Sequence, residues 1–412
     1  MCNSDSQQIM KQIITLFLLT LSINLLGQTK VVDLTDCLNE NSNSPKEYIL
    51  NLFKTNDIVI IGERDHRDTT QYDLLLDIFG DKRFIEEVGF IYTEVGCINR
   101  TEWANEVLKS NYENDSEFET ELIKLYRELD FNPLWEKYNM YKYLKGIYAI
   151  NKNLEPHKKI TIGLTDVAFN WEDMTTKKYK KFTDFVYKGH TRDSIMAANF
   201  IQLYEKQIKQ TGNRKALLIQ SIPHAIKMDL RSYKSNYSRT GGYIFEKYNE
   251  KVKVVLFNEV NYGVFNSSNL SLIDDGRWDA AFELISHAAT ALDIESTPFG
   301  DTFYEDFLTE KIENKIGVKF KYYELADGII FYKPFYEFKP TFGVPNVVDK
   351  TFRKELMRRT IMSQDKLFNR IGLNIIQPFY KKKNAKYYNN IRTFHDYENK
   401  SLRAQMKKWI KD

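Results

Sequence analysis

The sequence is short of cysteine, of net charge and of long apolar runs, and each shortage excludes something. Its formal net charge is only +3, from 59 basic and 56 acidic residues. That balance creates no field strong enough to hold a nucleic acid, so nucleic-acid binding is not expected. After the first 28 residues no apolar stretch approaches the roughly 20 residues of a bilayer span, so no stable membrane insertion is expected. Of three cysteines, only Cys37 and Cys97 follow that opening segment. They can form one disulfide or remain two free thiols, and spacing leaves both open. There is no internal repeat and no low-complexity tract. No Gly-x-Ser-x-Gly elbow announces a serine hydrolase, and no His-Glu-x-x-His announces a zinc site.

What is present is a chain with 42% hydrophobic and 14% aromatic residues, enough for a sizeable core. Lys11, the mostly apolar run 13–26 and the pair Gly27-Gln28 have the layout of a signal peptide. The reading is a signal peptide over residues 1–28 that starts at Met10, with residues 1–9 an upstream extension. It implies export to the periplasm or beyond. The rest divides into an α/β domain, residues 29–335, and a basic, partly helical C-terminal extension, residues 336–412. Pro334, Pro340 and Pro345 mark the transition, and the basic charges of the extension suit a solvated face or a docking arm.

Six short runs rich in Val, Ile, Leu, Phe and Tyr read as buried strands: 57–61, 89–93, 159–163, 215–220, 252–257 and 328–332. Helical spacing fills the intervals, as in Leu122, Leu125, Tyr126 and Leu129. The fold class expected is therefore α/β, a mostly parallel central sheet with helices on both faces. Residues 98–157, between the second and third strands, form a helical insertion expected over the carboxyl end of the sheet.

In an open parallel sheet ligands sit at the carboxyl ends of the strands, so the residues that follow each run matter most. They include Glu63 and His66, then Glu94, then Asp166, then Ser221 and His224. With Glu94 leaving a neighbouring strand, both glutamates can approach one imidazole. A carboxylate on one ring nitrogen fixes the tautomer, and an imidazole near pKa 6.5 can take a proton from water at neutral pH. Arg192 opens a helix, where a cation is electrostatically unfavourable, so it needs a carboxylate such as Glu63, Glu94 or Asp166. Asp193, beside it, is accounted for by the helix dipole.

Gly62-Glu-x-x-His66, Glu94, Arg192-Asp-x-x-Met-Ala-x-Asn199 and the strand-terminal His224, closed by Asp327-Gly-Ile-Ile-Phe-Tyr332, together resemble the erythromycin esterase superfamily, in collinear order over residues 56–334. The resemblance implies an exported hydrolase in which a histidine activates water against an ester, lactone or related acyl bond of a small-molecule substrate, with no metal and no other cofactor. On it, His66 is the base, Glu63 and Glu94 orient or stabilise it, and His224 lies opposite. Arg192, Asp166, Asp193 and Ser221 bind substrate or support those groups. Three positions depart from the pattern. Arg67 stands where glycine commonly follows the motif histidine, Ser221 where a histidine is expected before His224, and Leu75 where some esterases carry an arginine. The same superfamily resembles iron-regulated haem-binding proteins, so haem or metal binding, or a catalytically silent member, is the alternative.

Overall fold

The computed structural model describes residues 30–40, 43–187, 191–229, 238–262, 270–295, 297–305, 317–363 and 385–410. The expected signal segment lies outside them. No helix among the described residues is long and apolar enough to cross a membrane.

The six runs form strands β1 (Ile58–Glu63), β2 (Phe90–Cys97), β3 (Thr161–Asp166), β4 (Ala216–Ser221), β5 (Val252–Phe257) and, after a further strand, β7 (Gly328–Phe331). That further strand, β6 (Thr290–Asp293), pairs antiparallel with β7 and completes a seven-stranded sheet of order β3-β2-β4-β1-β5-β7-β6. All the other pairings within this sheet are parallel. The sheet is buried on both faces, as a parallel sheet must be. Alternate residues divide between two cores: Val59, Ile61, Leu217 and Ile219 belong to one, and Ile58, Ile60, Ala216 and Leu218 to the other.

Two expectations about placement change. The helices of the insertion, Thr101–Lys109, Asp115–Glu128 and Tyr138–Asn151, share the first core with the sheet and so cover a face of it. The connection at residues 129–137 reaches the carboxyl end, as do residues 98–100, which continue β2 and bond Phe169 through Asn99. The apolar residues of these helices outnumber what a lid needs, and burying them against the sheet is the larger gain. The C-terminal extension also packs back on the domain. Helix Lys350–Ser363 buries Phe352 and Leu356 in the first core, and helix Lys400–Ile410 buries Leu402 and Met406 beside Phe335, Phe338 and Tyr397. Lys381, Lys382 and Lys383 lie outside the described residues. Cys37 and Cys97 are buried in different hydrophobic clusters, and no disulfide joins them.

Candidate active site

The strands run further than the apolar runs, and this changes what holds the functional side chains. Glu63, Glu94, Asp166 and Ser221 are strand residues, not loop residues. Gly62 precedes Glu63 because a Cβ there would come 2.5 Å from Leu256 Cδ2 and 3.1 Å from Ile222 Cγ1. Strand β2 is irregular between Thr93 and Cys97, with Gly96 at φ +119. Such a bulge re-aims side chains at the end of a strand, here Glu94. β1 and β2 are not neighbours, because β4 lies between them. His66, three residues past Glu63, spans that gap.

The geometry at His66 is a clamp. Its Nδ1 lies 2.6 Å from Glu63 Oε1 and its Nε2 3.0 Å from Glu94 Oε1. The His66 side chain is 25% exposed, whereas the two carboxylates are buried at 0% and 1%. Tyr72 Oη donates to Glu63 Oε2 at 2.7 Å, and Ser221 Oγ donates to Glu94 Oε2 at 3.3 Å. Trp135, from the 129–137 connection, packs edge-on against the imidazole at 5.4 Å between centroids. Burial disfavours charge on His66, but the carboxylates of Glu63 and Glu94 outweigh it and push its pKa up to about 10. Burial likewise opposes charge on Glu94, yet His224, His66 and Arg192 hold it well below the usual carboxylate range. His66 is therefore an imidazolium at neutral pH, donating from both nitrogens. This differs from the neutral base expected from sequence, because two buried carboxylates converge on one ring.

A second cluster adjoins the first. Arg192 donates to both oxygens of Asp166, at 3.0 Å from Nε and 2.7 Å from Nη2, which settles its choice of carboxylate. Asp193 does more than complement a helix dipole: its Oδ1 lies 2.8 Å from His224 Nδ1 and also accepts from the backbone N–H and hydroxyl of Thr240. Burial works against its charge, but His224, Arg239 and Thr240 bring its pKa down to about 2. His224 Nε2 faces Arg192 Nη1 at 3.4 Å. A guanidinium only donates, so a hydrogen bond between the two requires the ring to accept at Nε2 and carry its proton on Nδ1, toward Asp193. The helix Thr191–Thr211 thus explains its own motif: Arg192 clamps Asp166, Asp193 holds His224, Met196 and Ala197 are core, and Asn199 Nδ2 donates to the carbonyls of Thr165 and Asp166.

No protein-family profile matches the chain, and no curated protein matches it. Solved structures do. A succinoglycan biosynthesis protein is similar at 11% identity and TM-score 0.42, over 74% of this chain and 98% of that one. A mutant of the erythromycin esterase EreC in its open conformation is similar at 12% identity and TM-score 0.36, over 69% and 92%. ChaN of Campylobacter jejuni with cofacially bound haem is similar at 14% identity and TM-score 0.32, over 54% and 88%. These likenesses concern the fold alone.

In this arrangement the donors do not converge on a single point for the metal or haem of the alternative reading. Glu63, His66 and Glu94 each bring a ligand atom within 4.8 Å of the others. The two carboxylates, however, hold opposite nitrogens of one ring, so a cation on either nitrogen meets only one of them in this arrangement. For the same reason His66 offers no free nitrogen to a haem iron in this arrangement.

Several residues of the site were not singled out from sequence. Tyr72 is nine positions past Glu63 on a helix of mostly apolar residues, where a tyrosine reads as core. Trp135 is one of many aromatics in the insertion. Asp130, in the same connection, is buried beside Asp166, and burial and that second carboxylate raise its pKa to about 6.

Proposed function

We propose that the protein is a hydrolase of an ester, lactone or related acyl bond in a small-molecule substrate, and that its two histidines divide the proton transfers. His224 Nε2, once water takes the place of its 3.4 Å contact with Arg192 Nη1, accepts a proton from that water, and Asp193 stabilises the charge that results. His66, already an imidazolium, turns its Nε2–H away from Glu94, the longer of its two contacts, donates it to the oxygen that becomes negative and then protonates the departing alkoxide. The observation that carries this reading is the contrast between the rings: one has carboxylates on both nitrogens, the other a carboxylate on Nδ1 and a cation before Nε2. Two like groups held in unlike surroundings are how a single site provides both an acid and a base. Relative to the resemblance, this reading assigns the base to His224 in place of His66.

The test is a panel of ester, lactone and peptide substrates offered to the wild type, His66→Ala and His224→Asn. Each substitution should lower turnover by roughly a hundredfold to ten-thousandfold, the usual contribution of positioned proton transfer. In wild type, turnover should fall on the alkaline side as His66 loses its proton near pH 10. A rate that instead climbs tenfold per pH unit toward pH 10 would return the role of base to His66. Turnover that survives both substitutions would remove the mechanism.

A further inference from the structure

We infer that the C-terminal extension is a working part of this site, in which Asp396 and Tyr397 position His66 through the two residues that flank it. The inference rests on the reading of His66 as a proton-transfer residue. Glu63 and Glu94 are fixed by their strands, but His66 stands in the turn after β1, and its place depends on what holds that turn. On one side, Tyr397 Oη donates to Asp65 Oδ2 at 2.6 Å. On the other, Arg67 Nη1 donates to Asp396 Oδ2 at 3.0 Å. The two sides are tied together, because Asp65 Oδ1 accepts from the Arg67 backbone N–H at 2.9 Å and the Arg67 guanidinium embraces both Asp65 oxygens. An earlier part of the extension grips the backbone. Thr341 N donates to the Arg67 carbonyl at 2.8 Å, Thr69 N to the Lys339 carbonyl at 3.2 Å, and Lys339 N to Asp68 Oδ1 at 2.7 Å.

This arrangement gives a reason for the departure at position 67. An arginine in place of glycine adds a long cation to a tight turn, and that cation needs anions within reach. Asp65 supplies one from inside the turn, and Asp396 supplies the other from the extension. The residue that breaks the sequence pattern and the segment that follows the α/β domain are two halves of one clamp. Its purpose follows from the tolerance of proton transfer, which loses rate when donor and acceptor move apart by even about 1 Å.

Three substitutions in the full-length protein test this: Tyr397→Phe, Asp396→Asn and Asp396→Glu. The first readout is the titration of the His66 ring by NMR, its resonance identified by its loss in His66→Ala. Tyr397→Phe and Asp396→Asn should lower the titration midpoint by about half a pH unit or more, as the ring loosens from its carboxylates. They should also reduce kcat by about threefold or more at nearly unchanged KM and melting temperature. Asp396→Glu, which keeps the charge, should recover most of both effects. A lowered melting temperature with an unmoved His66 titration would show that the segment is only a structural anchor, and would overturn the inference. If wild-type protein hydrolyses nothing on the panel, the proposed function fails, and the titration alone decides this one.

Discussion

Arg64 lies between the strand that carries Glu63 and the turn that carries His66, and it is 3% exposed. Its guanidinium donates to Asp68, Thr70, the side chain and carbonyl of Asn258 and the carbonyl of Tyr332, with the ring of Phe338 3.6 Å from its face. Arg64→Met would leave Asp68 charged and buried with its cation gone, and breaking one half of such a pair costs about 3–5 kcal/mol. Chemical denaturation should show that loss. His66 sets a pH dependence of a different kind. Its folded pKa of about 10 stands above the ordinary 6.5, so its contribution to stability is complete below about 6.5 and is lost as pH rises through about 10. The melting-temperature advantage of wild type over His66→Asn should therefore shrink across that window. An advantage that stays constant across that window would mean that the ring is neutral in the folded protein.

At the scale of elements, the insertion has a task that its sequence did not disclose. Strand β3 is an edge, and bare edges invite pairing with other chains. Here three side chains of the insertion stand in for the missing neighbour. Asn151 bonds the N–H and carbonyl of Ile160, Asn105 those of Ile162 and Thr101 those of Leu164, at every second residue as a strand would. Asn105→Leu keeps the volume but strips both bonds from Ile162, at about 1–3 kcal/mol for each buried group left unmet. Lower stability with concentration-dependent self-association in sedimentation is the expected result, and a monomer of wild-type stability would argue against the capping role. The strands themselves were legible because a buried parallel strand is a continuous apolar run. β6 was not, since Thr290–Asp293 is four residues long and ends on an exposed aspartate. The ends of β1, β2 and β3 were missed because each contains a buried carboxylate, Glu63, Glu94 or Asp166, whose polarity reads as loop.

Across the whole molecule, the candidate site joins segments far apart in sequence, and that distance governs what could be read in advance. Glu63, His66, Glu94, Asp166, Arg192 and His224 were legible because strand ends in such a sheet gather at one edge. Asp396 and Tyr397 were not, because nothing local in a basic tail of lysines and tyrosines signals a partner more than 300 residues away, the separation of Tyr397 and Asp65 being 332. A solvated arm would be dispensable, and this extension is not built as one. Residues 385–410 bury Tyr388, Tyr397, Leu402 and Met406 at 5%, 2%, 0% and 1% exposure. Each such side chain is worth about 1.5–3 kcal/mol as an upper figure, and the total stability of a domain is only about 5–15 kcal/mol. Deleting residues 385–412 should therefore bring the protein close to unfolding, with a broadened or absent thermal transition and easy proteolysis. A truncated protein that melts as sharply and at the same temperature as the full chain would show that the extension is a passenger, and that the turn around His66 holds its shape unaided.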